Sequence, residues 1–473
     1  MARVHQGRLG MGTEDTTDTS LQSSSRKPPE RHLELVWCWP PNKARRHGLT
    51  RSLLIGRGLE CDIRLDDSEA SRRHAEIVRE GSVIQLNDCG SRNGTYVNGA
   101  RIERVKLIPG DVCRIGRCIA LVARTMSNSS GERSDEFRAL ATGLLGGPLL
   151  AGALHPAQVA APGSLPILIE GETGVGKERV ARAIHEWSGR TGAFIGVNCA
   201  AIPDSLAEAE LFGYRRGAFT NALQSSLGYF RSANGGTLLL DEVDTLTVAT
   251  QAKLLRVLEE REVIAIGEQV AHPVDVRIVC TTREPLATAV SLDRFRPDLF
   301  ARLAGLVVRV PALRERAEDI PPLLAHFLEQ VAFRPGSVDP CAIERLLRHD
   351  FPMNVRELRL VAHRLSVFRE SDERLKLRHV LTSLEVAASV QAAARSGLSR
   401  SAQRAEDSEA LREALSRCDG NLQQAASMVG ISRQRAYRLL HTDGETRLSV
   451  LRRERSDSKT GSTGGDNGKR SPS

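Results

Sequence analysis

The sequence predicts a multidomain chain with an all-β sandwich in front, an α/β domain in the centre and a small all-α unit behind. Three observations support this fold class. Short β-like runs recur about every ten residues between 32 and 125, an apolar strand runs into a glycine loop near residue 170, and short helical patterns follow residue 407. A length of 473 residues suits two to four such domains.

The composition narrows the class of protein further. The net charge of +8 is a moderate basic excess, compatible with a nucleic-acid partner. The nine cysteines include no C-x-x-C pair, so neither a zinc site nor a disulfide framework is indicated. No apolar run approaches the roughly 18 residues of a membrane span, and residues 1–31 lack the pattern of a secretory signal. We therefore expect a cytoplasmic protein with no membrane partner.

The segments between and outside the predicted domains are polar. Residues 1–31 are rich in Thr, Ser, Gly and charge, and we expect them to be disordered. The same expectation applies to 444–473, a basic tail that would add nonspecific attraction to phosphates. Residues 126–134 and 387–406 are predicted linkers. The folded domains would then occupy 32–125, 135–386 and 407–443.

The first domain is predicted as a β-sandwich because β-like runs alternate there with Gly, Asp and Asn. The runs are Ser52–Ile55, Asp62–Leu65, His74–Val78, Val83–Leu86, Thr95–Val97, Val112–Ile115 and Ile119–Val122. Three of the connecting loops carry an unusual set of polar residues. These loops read Gly56-Arg57, Ser71-Arg72-Arg73-His74 and Ser91-Arg92-Asn93-Gly94-Thr95, with Asn98-Gly99 following.

The order and spacing of these loops resemble the forkhead-associated (FHA) domain. The resemblance implies that Arg57, Ser71 and Arg72 hold a phosphothreonine carried by a partner protein, while Asn93 holds the peptide backbone. The residues that would maintain the loops are His74 and Gly94. Arginines and a hydroxyl at one end of a sandwich would also form an oxyanion site on physical grounds. Alternatively these loops are ordinary turns, since Asn-Gly is itself a hairpin signal.

The central domain is organised around the stretch LPILIEGETGVGK, Leu165–Lys177, a short buried strand followed by G-x-x-x-x-G-K. Its glycines let the backbone approach the phosphates of ATP, and Lys177 would meet their β and γ oxygens. Glu178 stands where a Ser or Thr hydroxyl usually binds Mg²⁺. The residues predicted to hold the nucleotide are Gly171, Glu172, Thr173, Gly174, Val175, Gly176, Lys177 and Glu178.

A second stretch, TLLLDEVD at Thr237–Asp244, reads as a buried strand that ends in two carboxylates. Asp241 would bind Mg²⁺, and Glu242 would orient or deprotonate a water. Because the hydroxyl ligand is missing, the metal would depend on Asp241, the phosphates and water. A purely structural glycine turn is the alternative, but the two strands together favour a nucleotide pocket.

The surrounding sequence supplies the other elements of this domain. We expect one helix and an irregular run in 135–166, and an amphipathic helix after Lys177 that carries Val180, Ala183, Ile184 and Trp187 inward. A strand at Phe194–Val197 would end at Asn198. Helical patterns from about residue 320 to 386 predict a small lid over the nucleotide.

A series of blocks in this domain resembles, in the same order, the AAA+ domain of sigma-54-dependent transcription activators. The blocks read GETGVGKE, NCAAIPDSLAEAELFG, GGTLLLDEVDTL, QAKLLRVLEE, DVRIV, FRPDLFARL, LRERAEDIP and NVREL. The resemblance implies an ATPase that forms a homo-oligomeric ring, a hexamer in the family, and remodels sigma-54 RNA polymerase.

The resemblance also implies roles for single residues. Asn198 would hold Glu242 away from water until the partner is engaged. Arg296 and Arg302 would reach into the nucleotide of the neighbouring subunit, where such arginines stabilise charge on the γ-phosphate. Arg356 would sense the nucleotide from the lid. For any one arginine the alternative is a solvated surface charge.

The family contacts its sigma factor through a loop reading GAFTGA, and this chain has GAFTNA at Gly217–Ala222. The residues expected to contact sigma-54 are Gly217, Phe219 and Thr220. Phe219 could instead be a core residue. Asn221 restricts a loop that normally has glycine, and Arg283 replaces a usual sensing Asn. These departures keep open an alternative function, a phosphopeptide-regulated DNA-binding protein with a degenerate ATPase that is not coupled to sigma-54.

The last domain, 407–443, is predicted as a helix-turn-helix and resembles the Fis-type DNA-binding domain of the same activators. Small Ala425 and Ala426 and the turn at Gly430-Ile431 permit a sharp helix crossing. The residues expected to face double-stranded DNA at upstream, enhancer-like sites are Ser432, Arg433, Gln434, Arg435 and Arg438. An interaction module with a basic face is the alternative.

Together these resemblances imply a sigma-54-dependent transcriptional regulator that hydrolyses ATP in a ring while its helix-turn-helix holds it upstream. Phosphothreonine recognition by the FHA domain would regulate it, with a threonine kinase as one possible phosphoprotein partner. No receiver-like domain is recognisable, so control by aspartate phosphorylation is not expected.

Overall fold

In the computed structural model, the described residues are 32–40, 46–124, 137–219, 222–332, 338–367, 375–386, 408, 411–412, 414–415 and 422–429. Those up to 362, together with 375–376, belong to one compact unit, and the others belong to a second. The predictions for the two termini, both linkers and the third helix of the helix-turn-helix fall outside the described residues.

The front domain is a sandwich of two sheets, as predicted. The first sheet contains β1 (Leu33–Trp39), β2 (Arg46–Gly48), β7 (Thr95–Val97), β8 (Ala100–Ile102), β10 (Val112–Ile115) and β11 (Cys118–Arg124), in the order β2-β1-β11-β10-β7-β8. The second contains β3 (Leu53–Gly56), β4 (Ile63–Arg64), β5 (Ala75–Glu80), β6 (Val83–Asp88) and β9 (Arg104–Lys106), in the order β4-β3-β5-β6-β9. Every predicted run overlaps a strand, although β4 is two residues shorter than its run, while β1, β2, β8 and β9 were not anticipated.

The segment before the glycine loop differs in part from expectation. The expected helix is present as α1 (Pro148–Ala160), with proline at its first turn, a position that needs no N–H donor. A β-hairpin that the sequence did not predict precedes it, formed by β12 (Arg138–Ala141) and β13 (Leu144–Gly146). Gly143 in the hairpin turn has a φ of +71°, which suits a tight reversal of the chain.

The centre of the chain is a five-stranded parallel sheet flanked by helices. Its strands are β14 (Ile167–Glu170), β15 (Phe194–Asn198), β16 (Thr237–Asp241), β19 (Arg277–Thr282) and β20 (Leu306–Arg309), in the order β15-β16-β19-β14-β20. A small hairpin, β17 (Glu262–Val263) with β18 (His272–Pro273), lies outside it. Nearly every residue of β14, β16 and β19 is buried, as expected for strands covered on both faces.

The helices of this domain are α2 (Lys177–Ser188), α3 (Asp204–Phe212), α4 (Gly228–Ser232), α5 (Val248–Glu260), α6 (Leu286–Ser291) and α7 (Pro297–Leu303). In α2 the residues predicted to face inward are packed in the core: Val180, Ala183, Ile184 and, partly buried, Trp187. A 3-10 turn at Leu313–Asp319, here called the hinge turn, leads into α8 (Ile320–Gln330), α9 (Pro340–Leu347) and α10 (Asn354–Val367). The predicted helical lid is therefore present.

The second compact unit contains a helix over residues 377–386, α11, and a helix at Leu422–Met428, α12. A small apolar cluster joins Leu411 and Ala414 to Leu422, Ala425 and Ala426. None of the helices in the described part of the chain is long and apolar enough to cross a membrane.

Candidate functional site

The glycine loop lies between β14 and the start of α2. Gly174 and Gly176 have φ values of +81° and +105°, a region where side chains are strained. A Cβ on Gly174 would also collide with the carbonyl oxygen of Met353. The loop is thus held against the lid at a point where only glycine fits.

Lys177 is folded back onto this loop. Its Nζ donates to the carbonyl oxygens of Gly171, at 2.6 Å, and Glu172, at 3.2 Å. Burial lowers the pKa of Lys177, while the nearby Asp241 and Glu242 carboxylates oppose that shift. The ammonium therefore lies at the N-terminus of α2, where phosphates are bound most favourably.

A cavity of about 560 Å³ opens beside the loop, a volume suited to a small ligand of nucleotide size. It brings together much of the predicted nucleotide site. The predicted residues that line it are Thr173, Gly174, Val175, Gly176, Lys177, Glu178, Asp241, Glu242 and Arg356.

The two carboxylates lie at the carboxyl end of β16. The Thr281 hydroxyl donates to Asp241 Oδ1, and Thr281 Oγ1 in turn accepts the backbone N–H of Glu242 at 3.1 Å. Glu242 has a φ of +57°, so the chain turns sharply just after the strand. Thr281 was missed by the sequence analysis, although its place at the end of the adjacent strand β19 is the signal that could have found it.

The Glu242 carboxylate is paired with Arg283. Nε and Nη2 of Arg283 donate to its two oxygens at 2.9 and 2.5 Å. These hydrogen bonds raise the pKa of the Arg283 guanidinium. The sequence had marked Arg283 only as a departure from the family.

Asn198 has a local contact at the end of β15. Its Oδ1 accepts the backbone N–H of Ala200 at 2.9 Å, capping the short turn that follows the strand. This cap uses the amide oxygen, whereas a contact with the Glu242 carboxylate would use the Nδ2 donor. The restraint of Glu242 by Asn198 therefore stays a prediction.

The start of the lid is fastened to the glycine loop through Asn354, a fully buried residue that the sequence analysis did not single out. Its Nδ2 donates to Glu172 Oε2 at 3.1 Å and to the Thr173 carbonyl at 3.0 Å, while its Oδ1 accepts the N–H of Leu313 at 2.7 Å. Arg314 adds a bond of 2.8 Å to Glu172. This bond is the main reason that the pKa of Glu172 falls to about 2.

The hinge turn makes a second connection to the loop. Arg316, 2% exposed, donates to the Val175 carbonyl at 3.2 Å and pairs with Asp319 at 3.4 Å. Asp319 accepts the N–H of Gly147 at 2.9 Å, and burial raises the pKa of Asp319 to about 7. Arg316 also lines the cavity, so the hinge turn touches the candidate nucleotide site directly.

Arg296 and Arg302 are not among the residues that line this cavity. Arg296 pairs with Asp298 at 2.7 Å, and Arg302 donates to the Leu258 carbonyl at 3.1 Å. Both side chains remain partly or largely exposed. Their action on a neighbouring subunit stays a prediction.

Phe219 is not a core residue. It is 38% exposed and packs against Tyr214, with ring centroids 5.0 Å apart. Gly217 has a φ of +81°, and its N–H donates to the Ala222 carbonyl at 2.9 Å, closing the base of the loop. Thr220 and Asn221 lie outside the described residues, as do all the predicted DNA contacts: Ser432, Arg433, Gln434, Arg435 and Arg438.

The three FHA loops meet at one end of the sandwich. The backbone N–H of Arg57 donates to the Ser71 carbonyl at 3.0 Å, and that of Arg92 donates to Ser71 Oγ at 3.1 Å. Asn93 Nδ2 donates to the Glu69 carbonyl at 2.7 Å. Arg57 and Arg72 are exposed, so their guanidinium groups are accessible to an anion.

His74 lies buried beneath these loops. Its Nδ1 accepts the N–H of Ser71 at 3.0 Å, so the proton of the neutral ring is on Nε2, 3.3 Å from the Gly94 carbonyl. Burial lowers the pKa of His74, which favours this neutral form. The imidazole thus joins two loops, as expected of a residue that maintains their architecture.

Matches to family models follow the order of the domains. The FHA domain matches residues 53–116, the sigma-54 interaction domain 121–309, the AAA+ ATPase lid domain 314–396 and the Fis family of bacterial regulatory proteins 403–438.

Several curated proteins are similar over more than half of this chain. The sigma-54-dependent transcriptional regulator SfnR of Pseudomonas fluorescens is 38% identical over 317 residues, which cover 62% of this chain and 86% of that protein. The C4-dicarboxylate transport transcriptional regulatory protein DctD of Rhizobium meliloti is 36% identical over 335 residues, which cover 69% of this chain and 70% of that protein. For the transcriptional regulatory protein XylR of Pseudomonas putida the identity is 40%, and the match spans 62% of this chain but only 56% of that protein. The chain belongs to the family of sigma-54-dependent transcriptional regulators, with an FHA domain, an AAA+ ATPase domain with its lid, and a Fis-type helix-turn-helix.

Proposed function

We propose that this chain activates transcription by sigma-54 RNA polymerase, using ATP hydrolysis in a ring of identical subunits. The observation that carries the proposal is the cavity at which Lys177, Asp241 and Glu242 converge. A basic helix-turn-helix would hold the ring on double-stranded DNA upstream of the promoter. Such an activator would work in the cytoplasm.

The residues around the cavity suit phosphoryl transfer to water. Lys177 and the amides of the glycine loop would hold the β- and γ-phosphates, and Glu242 would orient and deprotonate the attacking water. The Thr281 hydroxyl donates to Asp241 Oδ1 and so orients the carboxylate, which fits a single carboxylate ligand for Mg²⁺. When bound with ATP, Mg²⁺ would neutralise charge on the phosphate oxygens.

Contacts between subunits would complete the site. Arg296 and Arg302 do not line the cavity of their own subunit, which supports a role at the site of the next one. In that position their guanidinium groups would stabilise the charge that develops on the γ-phosphate. Arg356 would report nucleotide occupancy to the lid, because its backbone N–H lies 3.3 Å from the Gly174 carbonyl.

Two further surfaces would bind the partners of the ATPase ring, sigma-54 and a phosphoprotein. The exposed Phe219 would be buried by sigma-54, contributing about 1.5 to 3 kcal/mol of apolar contact. Arg57, Ser71 and Arg72 would bind a phosphothreonine, held in place by the contacts among their loops. We infer that this phosphoprotein, for example a threonine kinase, regulates the ring.

An open-complex assay on a sigma-54 promoter tests the proposal. The native chain should form open complexes with ATP but not with a nonhydrolysable analogue. The Glu242→Gln variant should bind ATP but form no open complexes. The Asn221→Gly variant should form at least as many open complexes as the native chain, since it restores the glycine of the loop that contacts sigma-54. The proposal is wrong if no open complexes form while DNA binding and ATP hydrolysis are intact.

A second candidate function is a DNA-binding protein whose ATPase is not coupled to sigma-54. The Arg283 guanidinium on both oxygens of Glu242 favours it, because a carboxylate held in this way is a poor base. Open complexes that depend on ATP hydrolysis would eliminate this candidate.

A further inference from the structure

The first FHA sheet is buried on both faces along its central strands β1, β10 and β11. Alternate residues such as Leu35, Trp37 and Ala120 fill the sandwich core. The residues between them point outward, yet they are no more than 5% exposed: Val36, Cys38, Val112 and Ile119. An antiparallel sandwich usually presents polar side chains to water on that face. We call this set of four side chains the outer face.

The elements that cover the outer face belong to the AAA+ domain of the same chain. Helix α9 packs against β10 and β11, and the hinge turn packs against β1. Burial raises the pKa of the Cys38 thiol, and the Glu318 carboxylate of the hinge turn adds to the shift. The apolar side chains are therefore removed from water by the lid and not by the sandwich itself.

Two sets of ion pairs frame this contact. Arg114 Nε lies 2.7 Å from Glu344 Oε2, the two side chains are only 15% and 5% exposed, and the guanidinium stacks 3.8 Å from the Tyr96 ring centroid. At the other edge Arg46 bridges Glu34 at 2.6 Å and Glu318 at 2.5 Å. Buried charges that find partners only in one arrangement specify that arrangement, since separating them would leave a charge unpaired.

We propose that the outer face is the docking surface for the lid of the same chain, and that docking couples the FHA domain to the nucleotide site. The connection runs through the hinge turn, in which Glu318 contacts Arg46 and Arg316 contacts the Val175 carbonyl of the glycine loop. When the lid separates from the outer face, the hinge turn no longer supports the glycine loop, and nucleotide binding weakens. The coupling rests on the proposed nucleotide site, whereas the docking does not.

The FHA loops have their own link to this surface. Asp67 lies in the loop that leads to Ser71, and its carboxylate accepts the N–H of Arg117 at 2.6 Å. Arg117 is in the turn between β10, which carries Arg114, and β11, which carries Ile119. A rearrangement of the phosphopeptide loops is therefore transmitted directly to the strands that contact the lid.

Docking can be tested without any activity. A protease site is introduced within 125–136 of the full chain, and the two fragments are analysed by gel filtration after cleavage. The native fragments should elute together. Arg114→Glu should weaken their association at least about tenfold, as expected when one partner of a buried ion pair is lost. The double change Arg114→Glu with Glu344→Arg should restore it.

Arg51→Glu is the matched control, because it makes the same change of charge at an FHA ion pair whose arginine side chain is 69% exposed. Circular dichroism checks that each variant is folded. Docking is refuted if the native fragments separate, if Arg51→Glu has the same effect as Arg114→Glu, or if the charge exchange gives no recovery.

Coupling is measured with a fluorescent ADP analogue on the uncleaved chains. Arg114→Glu should raise its Kd about fivefold or more, and adding Glu344→Arg should bring the Kd back toward the native value. Unchanged affinity in Arg114→Glu, with docking disrupted in the cleavage assay, would overturn the coupling and leave the docking intact. A native chain that fails to bind ADP would overturn the nucleotide site itself, and the coupling with it.

Discussion

Arg283 holds the Glu242 carboxylate with a bidentate pair, donating to its two oxygens at 2.9 and 2.5 Å. Glu242 is largely buried at 15% exposure, whereas the Arg283 side chain is 56% exposed and can swing away. Both oxygens of Glu242 are thus occupied when Arg283 is in place. A water at the γ-phosphate would therefore compete with the Arg283 guanidinium for a hydrogen bond to Glu242, the proposed base.

Replacing Arg283 should release that base. We expect Arg283→Gln to raise basal ATPase kcat by roughly 3- to 10-fold, part of the roughly 10²- to 10⁴-fold that general bases contribute, with KM for ATP little changed. Steady-state ATPase assays at saturating ATP measure both constants. Arg51→Gln is the control and should leave kcat unchanged, because Arg51 is 69% exposed and its ion pair with Asp62 lies in the FHA domain. A fall in kcat for Arg283→Gln would show that Arg283 assists hydrolysis.

Phe219 should be needed for the contact with sigma-54 but not for ATP hydrolysis. Removing about 1.5 to 3 kcal/mol of apolar contact in Phe219→Ala should lower open-complex formation roughly tenfold or more while ATPase activity persists. Leu223→Ala is a matched control, since Leu223 is also an exposed apolar residue, at 81%, close to the same loop. If the two variants lose open complexes equally, Phe219 has no specific role.

The FHA loops should distinguish phosphothreonine from threonine. Arg57→Ala or Ser71→Ala should each weaken binding of phosphothreonine peptides by roughly 10- to 100-fold, the effect of losing one charge-assisted hydrogen bond. Fluorescence anisotropy with a degenerate phosphothreonine peptide library measures this, and unphosphorylated peptides should not bind. Arg51→Ala, which lies outside these loops, should bind normally. Equal binding of both peptide forms would contradict the assignment.

Glu172 should make the stability of the nucleotide domain sensitive to acid. Hydrogen bonds from Arg314 hold its pKa near 2 in the folded chain, below the ordinary 4.5, so its contribution is complete above about pH 4.5 and is lost as the pH falls toward 2. Because Glu172 is 41% exposed, we expect Glu172→Gln to cost at most about 1 kcal/mol at pH 7. Urea midpoints of the two chains should differ at pH 7 and converge as the pH falls toward 2. A difference that stays constant with pH would refute the ion pair.

Two inactive variants should restore each other if sites are shared between subunits. Lys177→Ala removes a group of the nucleotide cavity, whereas Arg296→Ala removes a group that does not line it. In a mixed ring some sites would combine an intact Lys177 with an intact Arg296 from the next subunit. ATPase activity of the mixture should therefore exceed the sum of the separate activities. Mixed oligomers without recovered activity would argue against a shared site.

The sequence predicted the parts of the site that are encoded locally. The glycine loop and the pair Asp241 and Glu242 were recognisable because each follows a short apolar strand within a few residues. The FHA loops were recognisable by their spacing. The helix at 148–160 was anticipated, but the preceding hairpin was not, because Ala and Leu carry little β signal.

The remaining contacts depend on which strands are neighbours. Thr281 and Arg283 reach Asp241 and Glu242 only because β19 pairs with β16, and no local pattern gives that order. Asn354 has a φ of +52° and joins segments far apart in the chain. Asn198 was assigned to Glu242 by resemblance, and its cap on the following turn was not predicted.

The covered outer face also bears on how this chain can be dissected. A truncation ending near residue 124 would leave Val36, Val112 and Ile119 facing solvent without α9 above them, a patch that favours self-association and poor solubility. An FHA fragment intended for crystallisation or peptide screening should carry polar replacements at these positions. Without these replacements the fragment would form dimers because its outer face is uncovered, and such dimers would say nothing about the quaternary structure of the full chain.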